Sequence, residues 1–125
     1  MVLVINGSIR GNGNTDILVN KLVDGSTKTG AHIKLTELRK KNIANCIGCC
    51  CCVNGSTCSL QDDMTGIRDD ISNAELLILA SPLYWWGVTG LMKTFIDRLF
   101  FYYYPRNRGL ISGKNAVIVT PMAEH

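Results

Sequence analysis

The chain has 125 residues, a formal charge of +3, 46% hydrophobic residues and six cysteines. That length suits one domain, residues 1–125, with room for a proper core, and no run approaches the ~20 apolar residues of a membrane span. The basic residues are scattered (Lys21, Lys28, Lys34, Arg98, Arg106, Arg108), so no basic face stands ready for a phosphate backbone and nucleic acid is not an expected partner.

Residues 2–5 form a short apolar run rich in β-branched side chains that stops at Asn6-Gly7-Ser8, as a buried parallel strand ending in a loop does. After the glycine-rich loop, Asn14 or Thr15 is a credible N-cap with Asp16 in the first turn, and Leu18, Val19, Leu22 and Val23 share one helical face. The stretch "AHIKLTEL" alternates, with Ile33 and Leu35 to one side, which predicts an edge strand. The basic run Arg39-Lys40-Lys41 reads as a solvated loop.

All six cysteines then fall between positions 46 and 58, in a segment whose Gly48 and Asn54-Gly55 predict loop. Residues 62–72 predict a short helix with Met64, Ile67 and Ile71 inward; Asp62 and Asp63 stand at its start, where acidic residues favour the dipole. "AELLILASP" is a further apolar strand. In "VTGLMKTFIDRLFFYYY", Val88, Leu91, Met92, Phe95, Ile96, Leu99 and Phe100 keep the helical rhythm. Its aromatic end predicts an interface, hence a homo-oligomer. "NAVIVTP" predicts a fourth buried strand.

The order β-α-β-α-β-α-β argues for a doubly wound parallel sheet with helices on both faces. Ligands in such sheets lie beyond the carboxyl ends of the strands. That rule selects three loops: "NGSIRGNGNT", "SPLYWWGVTG" and "TPMAEH". The first lacks the Lys of GxxxxGK[ST] and does not match GxGxxG. It still gathers backbone N–H groups, the Ser8 and Thr15 hydroxyls, Arg10 and a helix N-terminus around a place for an anion. The second offers Tyr84, Trp85 and Trp86 as a stackable wall for a flat heteroaromatic ring.

The opening apolar run is too short for a signal-peptide core and has no basic leader, so a soluble, cytoplasmic protein is expected. In that compartment clustered cysteines point to metal or redox chemistry rather than a disulfide framework. His32 and His125 offer no Cys/His or Ser/His arrangement.

Three segments, "GSIRGNGNT", "CIGCCCCVNGSTCSLQDDM" and "SPLYWWGVTGLMKTFIDRL", together resemble the flavodoxin-like NAD(P)H-dependent FMN reductases, in particular the iron–sulfur flavoprotein branch. The resemblance implies a flavodoxin-like α/β fold that stops before the family's last strand and helices. It implies FMN as cofactor and NAD(P)H as reductant, with a nicotinamide or an electron carrier as donor and an acceptor left open. Carried over by position, it assigns Ser8, Arg10, Asn14 and Thr15 to the FMN phosphate. Pro82, Leu83, Tyr84, Trp85 and Gly87 go to the ring and ribityl region, and Thr120 onward completes the pocket. No acid–base residue is obligatory for hydride transfer, so no catalytic side chain is assigned.

Cys46, Cys49, Cys52 and Cys58 read CxxCxxCx5C, and four thiolates in one compact loop suit a 4Fe-4S cluster. This matches the compact cysteine motif of the iron–sulfur flavoproteins. Unligated thiols, zinc or a disulfide stay open, zinc being weakened by the short last gap. The reading is an FMN-dependent oxidoreductase; its rival is a non-enzymatic flavodoxin-type electron-transfer module.

Overall fold

The computed structural model describes residues 1–54 and 57–122. Along the chain run β1 (Val2–Asn6), α1 (Asn14–Lys28), β2 (Ile33–Glu37), a 3-10 turn (Leu38–Lys40), α2 (Cys51–Asn54) and α3 (Met64–Asn73). After these come β3 (Leu76–Ala80), α4 (Gly90–Arg98), a second 3-10 turn (Leu99–Tyr102), α5 (Pro105–Arg108) and β4 (Asn115–Val119).

All pairings are parallel, in the order β2-β1-β3-β4. The chain winds outward from β1 to β2, then returns to place β3 and β4 on the other side. The reversal lies between β1 and β3, whose carboxyl ends, Asn6 and Ala80, stand in register. This is the doubly wound parallel sheet expected from the element order.

Alternation along the central strands feeds two cores. Leu3 and Ile5 of β1 pack with Leu77, Met64, Ile67, Ile71, Met92 and Phe95, beneath α3 and α4. Val4, Ile78 and Ala80 meet Val19 of α1 on the opposite face, with Leu22, Val23 and Ile33 at its margin. Phe95 is 1% exposed, and burial of such a side chain contributes about 1.5–3 kcal/mol.

Several expectations need correction. Leu18 is exposed, because the inward side of α1 is carried by Thr15, Asp16 and Val19. Leu35 is exposed while its neighbour Thr36 is buried, since β2 is an edge strand covered only in part. The cysteine segment is not all loop; it contains the turn of helix α2. The long helix ends at Arg98, and Val88 precedes its N-cap, Thr89. Pro105 forces Tyr104 out of helical geometry (φ −79°, ψ 144°), so the aromatic end breaks into turns. Phe101 and Tyr102 are buried, and only Phe100 and Tyr103 stay largely at the surface. β4 is not buried: among the described residues it pairs with β3 alone, and Val117 and Ile118 are exposed.

Gly7 matters for space alone. A Cβ there would lie 2.8 Å from Met92 Cβ and 3.0 Å from its Cε. Gly7→Ala is therefore expected to lower stability by about 1–3 kcal/mol, read as a lower urea midpoint at constant slope. Gly11→Ala, with open space around it, serves as control. A Gly7→Ala midpoint equal to the control's would show that α4 moves freely against β1.

Candidate functional site

The loops after β1 and β3 meet over the point where the strand order reverses. Between them is a pocket of about 410 Å³ lined by Ser8, Arg10, Asn12 to Thr15, Pro82 to Tyr84, Pro121 and Met122. Of the residues expected there, the structure brings together Ser8, Arg10, Asn14, Thr15, Pro82, Leu83 and Tyr84. It does not bring Trp85 or Gly87 into the lining, and Thr120 lines a small apolar cleft with Leu79, Val88, Met92 and Ile118 instead. His125, at the end of the rim segment, lies outside the described residues.

Helix α1 begins at Asn14 with Gly13 as its N-cap, and no side chain caps it. The N–H groups of its first turn have no intrahelical acceptor. They face the pocket beside the dipole's positive end, which suits a phosphate. Arg10 is exposed at the rim and has no ion pair among the described residues. The Ser8 hydroxyl donates to the Arg10 carbonyl at 2.9 Å, bending the loop into a cradle.

Asp16 shapes this cradle from beneath. Its Oδ2 accepts the Asn12 N–H at 2.7 Å, where Asn12 takes a left-handed φ of 60°. Its Oδ1 accepts from Asn6 Nδ2 at 2.6 Å and from Arg39 Nη1 at 3.0 Å, while Asn6 Oδ1 accepts the Ser8 N–H at 2.9 Å. Burial works against ionisation of Asp16, but the hydrogen bonds from Arg39, Asn6 and Asn12, with the charge of Arg39, hold its pKa below the usual carboxylate value. Arg39 is thus no solvated loop residue: its side chain sits between Asp16 and Glu37. Lys40 and Lys41 of that run fit the surface reading: both are exposed, Lys40 pairing with Glu37 in the open.

Thr89 joins the two loops. It is fully buried; its hydroxyl donates to the Gly7 carbonyl at 2.7 Å and accepts the Met92 N–H at 3.1 Å. Its own N–H donates to Ser81 Oγ at 3.1 Å. Asp16, Arg39 and Thr89 escaped the sequence reading as site residues. For Thr89 a signal existed, a threonine just before an apolar helical rhythm, the mark of an N-cap.

At the tip of the aromatic loop, Tyr84 and Gly87 exchange backbone hydrogen bonds of 2.8 and 3.0 Å around Trp85 and Trp86. Both tryptophans have positive φ, 44° and 64°, and they are 94% and 89% exposed. Such a turn normally takes Asn-Gly. Bulky residues there store strain of order 1–3 kcal/mol each, a pattern found at functional sites.

The cysteine segment is stitched shut at its base. Asn42 N–H and Ala44 N–H donate to Asp63 Oδ2 (2.7 Å) and Asp62 Oδ2 (3.0 Å), and Thr94 Oγ1 donates to Asn45 Oδ1 at 2.8 Å. Asp62 and Asp63 are therefore structural, but as clasps for this loop as well as at the start of a helix. All six thiols are free. Burial pushes the Cys52 thiol up, and the charges of Cys58, Cys46 and Cys49 add to the rise. A hydrogen bond with Ser59 draws the Cys49 thiol down. Among the described residues no three Cys, His, Asp or Glu side chains are set to hold a single metal ion. A cubane asks for something else, one thiolate at each of four irons. The donor set fits that chemistry.

A family model described as NADPH-dependent FMN reductase matches residues 1–125. An iron–sulfur flavoprotein of Methanocaldococcus jannaschii is 34% identical over 97 residues, 78% of this chain and 50% of the relative. A Bacillus subtilis protein, provisionally named an NAD(P)H-dependent FMN-containing oxidoreductase, is 37% identical over the same share of each chain. Among solved structures, the NAD(P)H:quinone oxidoreductase from Methanothermobacter marburgensis superposes with a TM-score of 0.81 at 16% identity, covering 99% of this chain and 64% of that one. The chain spans about half the length of the curated relatives it matches.

Two outcomes follow from the site's geometry. Stability carried by Asp16 is complete above the ordinary carboxylate value of about 3.9 and is lost as pH falls through its lower folded value. Asp16→Asn should thus be less stable at neutral pH and lose stability less steeply in acid, measured by urea unfolding across pH; an equally steep acid loss would remove Asp16 from this role. Replacing Trp85-Trp86 by Asn-Gly is expected to raise the thermal midpoint by relieving backbone strain. A lowered midpoint would mean that the indoles are held by packing.

Proposed function

The chain belongs to the NADPH-dependent FMN reductase family, and from that premise we propose that it is an FMN-dependent oxidoreductase drawing electrons from NADH or NADPH. The observation that carries this reading is the pocket at the carboxyl ends of β1 and β3, where an uncapped helix N-terminus faces the Pro82 to Tyr84 wall. Bound there, FMN would supply the hydride and electron chemistry. Ser8, Asn14, Thr15 and Arg10 would hold its phosphate by backbone N–H groups, hydroxyls and one cation. Pro82, Leu83 and Tyr84 would flank its ring and ribityl chain and keep water from one side. Trp85, Gly87 and Thr120 take no part in that lining here; Gly87 closes the turn that presents Tyr84.

Cys46, Cys49, Cys52 and Cys58 would hold a 4Fe-4S cluster, which would supply one-electron chemistry. Support comes from the donor set and from relatives named iron–sulfur flavoproteins. The exposed Phe100 and Tyr103, 40% and 64% accessible, support a homo-oligomer.

Anaerobically purified protein is expected to contain about four irons, matching acid-labile sulfide, and about one FMN per chain. FMN without iron would leave a reductase with idle thiols. Stopped-flow mixing with NADH and NADPH should bleach the flavin absorbance on the timescale of turnover. A flavin that stays oxidised with both nicotinamides would favour the electron-transfer module.

A further inference from the structure

Arg98 ends α4 with its guanidinium withdrawn from solvent: its side chain is 1% exposed and that of Asp62 7%. Nη1 donates to Asp62 Oδ2 at 2.6 Å and to the Ala44 carbonyl at 2.8 Å, and Nη2 donates to Asp62 Oδ1 at 3.1 Å. Nη2 also donates to Cys58 Sγ at 3.6 Å. Asp62 in turn accepts the N–H groups of Ala44 and Met64, each at 3.0 Å. One buried ion pair therefore ties both ends of the cysteine segment to α4 and sets a permanent cation against one of its sulfurs. Buried ion pairs seldom improve stability over apolar packing, so this one calls for a further reason.

We propose that Arg98 is a positioning residue for the iron–sulfur chemistry of the loop: it fixes Cys58 through Asp62 and raises the cluster's reduction potential by its N–H···S hydrogen bond. The proposal rests on the cluster reading given above. One-electron reduction adds one negative charge to the cluster and its thiolates and makes or breaks no bond. A hydrogen-bond donor carrying a positive charge at a ligand sulfur favours the more negative form. Asp62 acts in the opposite sense, as the nearest fixed negative charge. Lysine could keep the ion pair, but as a point charge on a flexible stem it cannot serve Asp62 and Cys58 with one rigid fork.

The test is a dithionite titration of the full chain, reconstituted with ferrous iron and sulfide, for the wild type, Arg98→Lys and Asp62→Asn. Arg98→Lys is expected to keep its iron and fall at least tenfold in the one-electron reduction equilibrium, about 59 mV lower. Asp62→Asn is expected to shift the potential upward. A purely structural role for the pair would move both variants in the same direction or neither, and either result overturns the proposal. Should Arg98→Lys fail to fold, Asp62→Asn decides alone: a raised potential supports the role, an unchanged or lowered one ends it. Wild-type protein that takes up no cluster overturns the cluster reading and this role with it, whereas a wild-type cluster indifferent to both substitutions removes the role of Arg98 only.

Discussion

The hydroxyl of Thr89, donating to the Gly7 carbonyl at 2.7 Å, joins residues 82 positions apart and holds the two halves of the site together. Everything at the pocket depends on that contact. It forms only because Gly7 has no side chain to hold Met92 away, and because the same threonine caps α4. The loop after β1 and the loop after β3 thus share one buried anchor, with Ser81 Oγ as its second point. The crevice over the strand reversal is a fixed consequence of backbone packing rather than a gap between independent loops.

Two Arg–Asp pairs do for the outer loops what Thr89 does for the centre. Arg39–Asp16 lies beneath the glycine-rich loop and Arg98–Asp62 beneath the cysteine segment. Each carboxylate also accepts backbone N–H groups, so each links a charge to the course of the chain. Burial of such pairs is costly, and removal of one partner leaves an uncompensated charge. Their common result is a loop with one conformation. A phosphate cradle requires this, because its N–H groups must converge before the ligand arrives.

The aromatic turn obeys the opposite logic. Its two tryptophans stand in left-handed geometry and in solvent, a local arrangement that neither propensity nor burial favours. The turn is where this chain departs furthest from what is best for its stability.

Much of the fold was legible in the sequence. Continuous apolar runs at residues 2–5 and 76–80 read as buried strands, the rhythm of Met92 and Phe95 read as a helix, and the loops that line the pocket followed from the element order. The clustered thiols and the glycine-rich loop stood out by composition, and the loop does line the pocket over the strand reversal. Contacts across long separations were not legible: Thr89 with Gly7, Arg39 with Asp16, Arg98 with Cys58. A charged residue in a basic run or at a helix end looks the same in sequence whether it faces water or a buried carboxylate. The same holds for Ile118, whose β-branched neighbours read as core although its strand lies at the sheet's edge. Periodicity and composition are local quantities, so the sequence alone determined which elements form and which chemistry the loops can carry. Burial and partnership are properties of the assembled chain, so only the tertiary structure decided which charges are paired, which aromatics are strained and which loop each arginine holds.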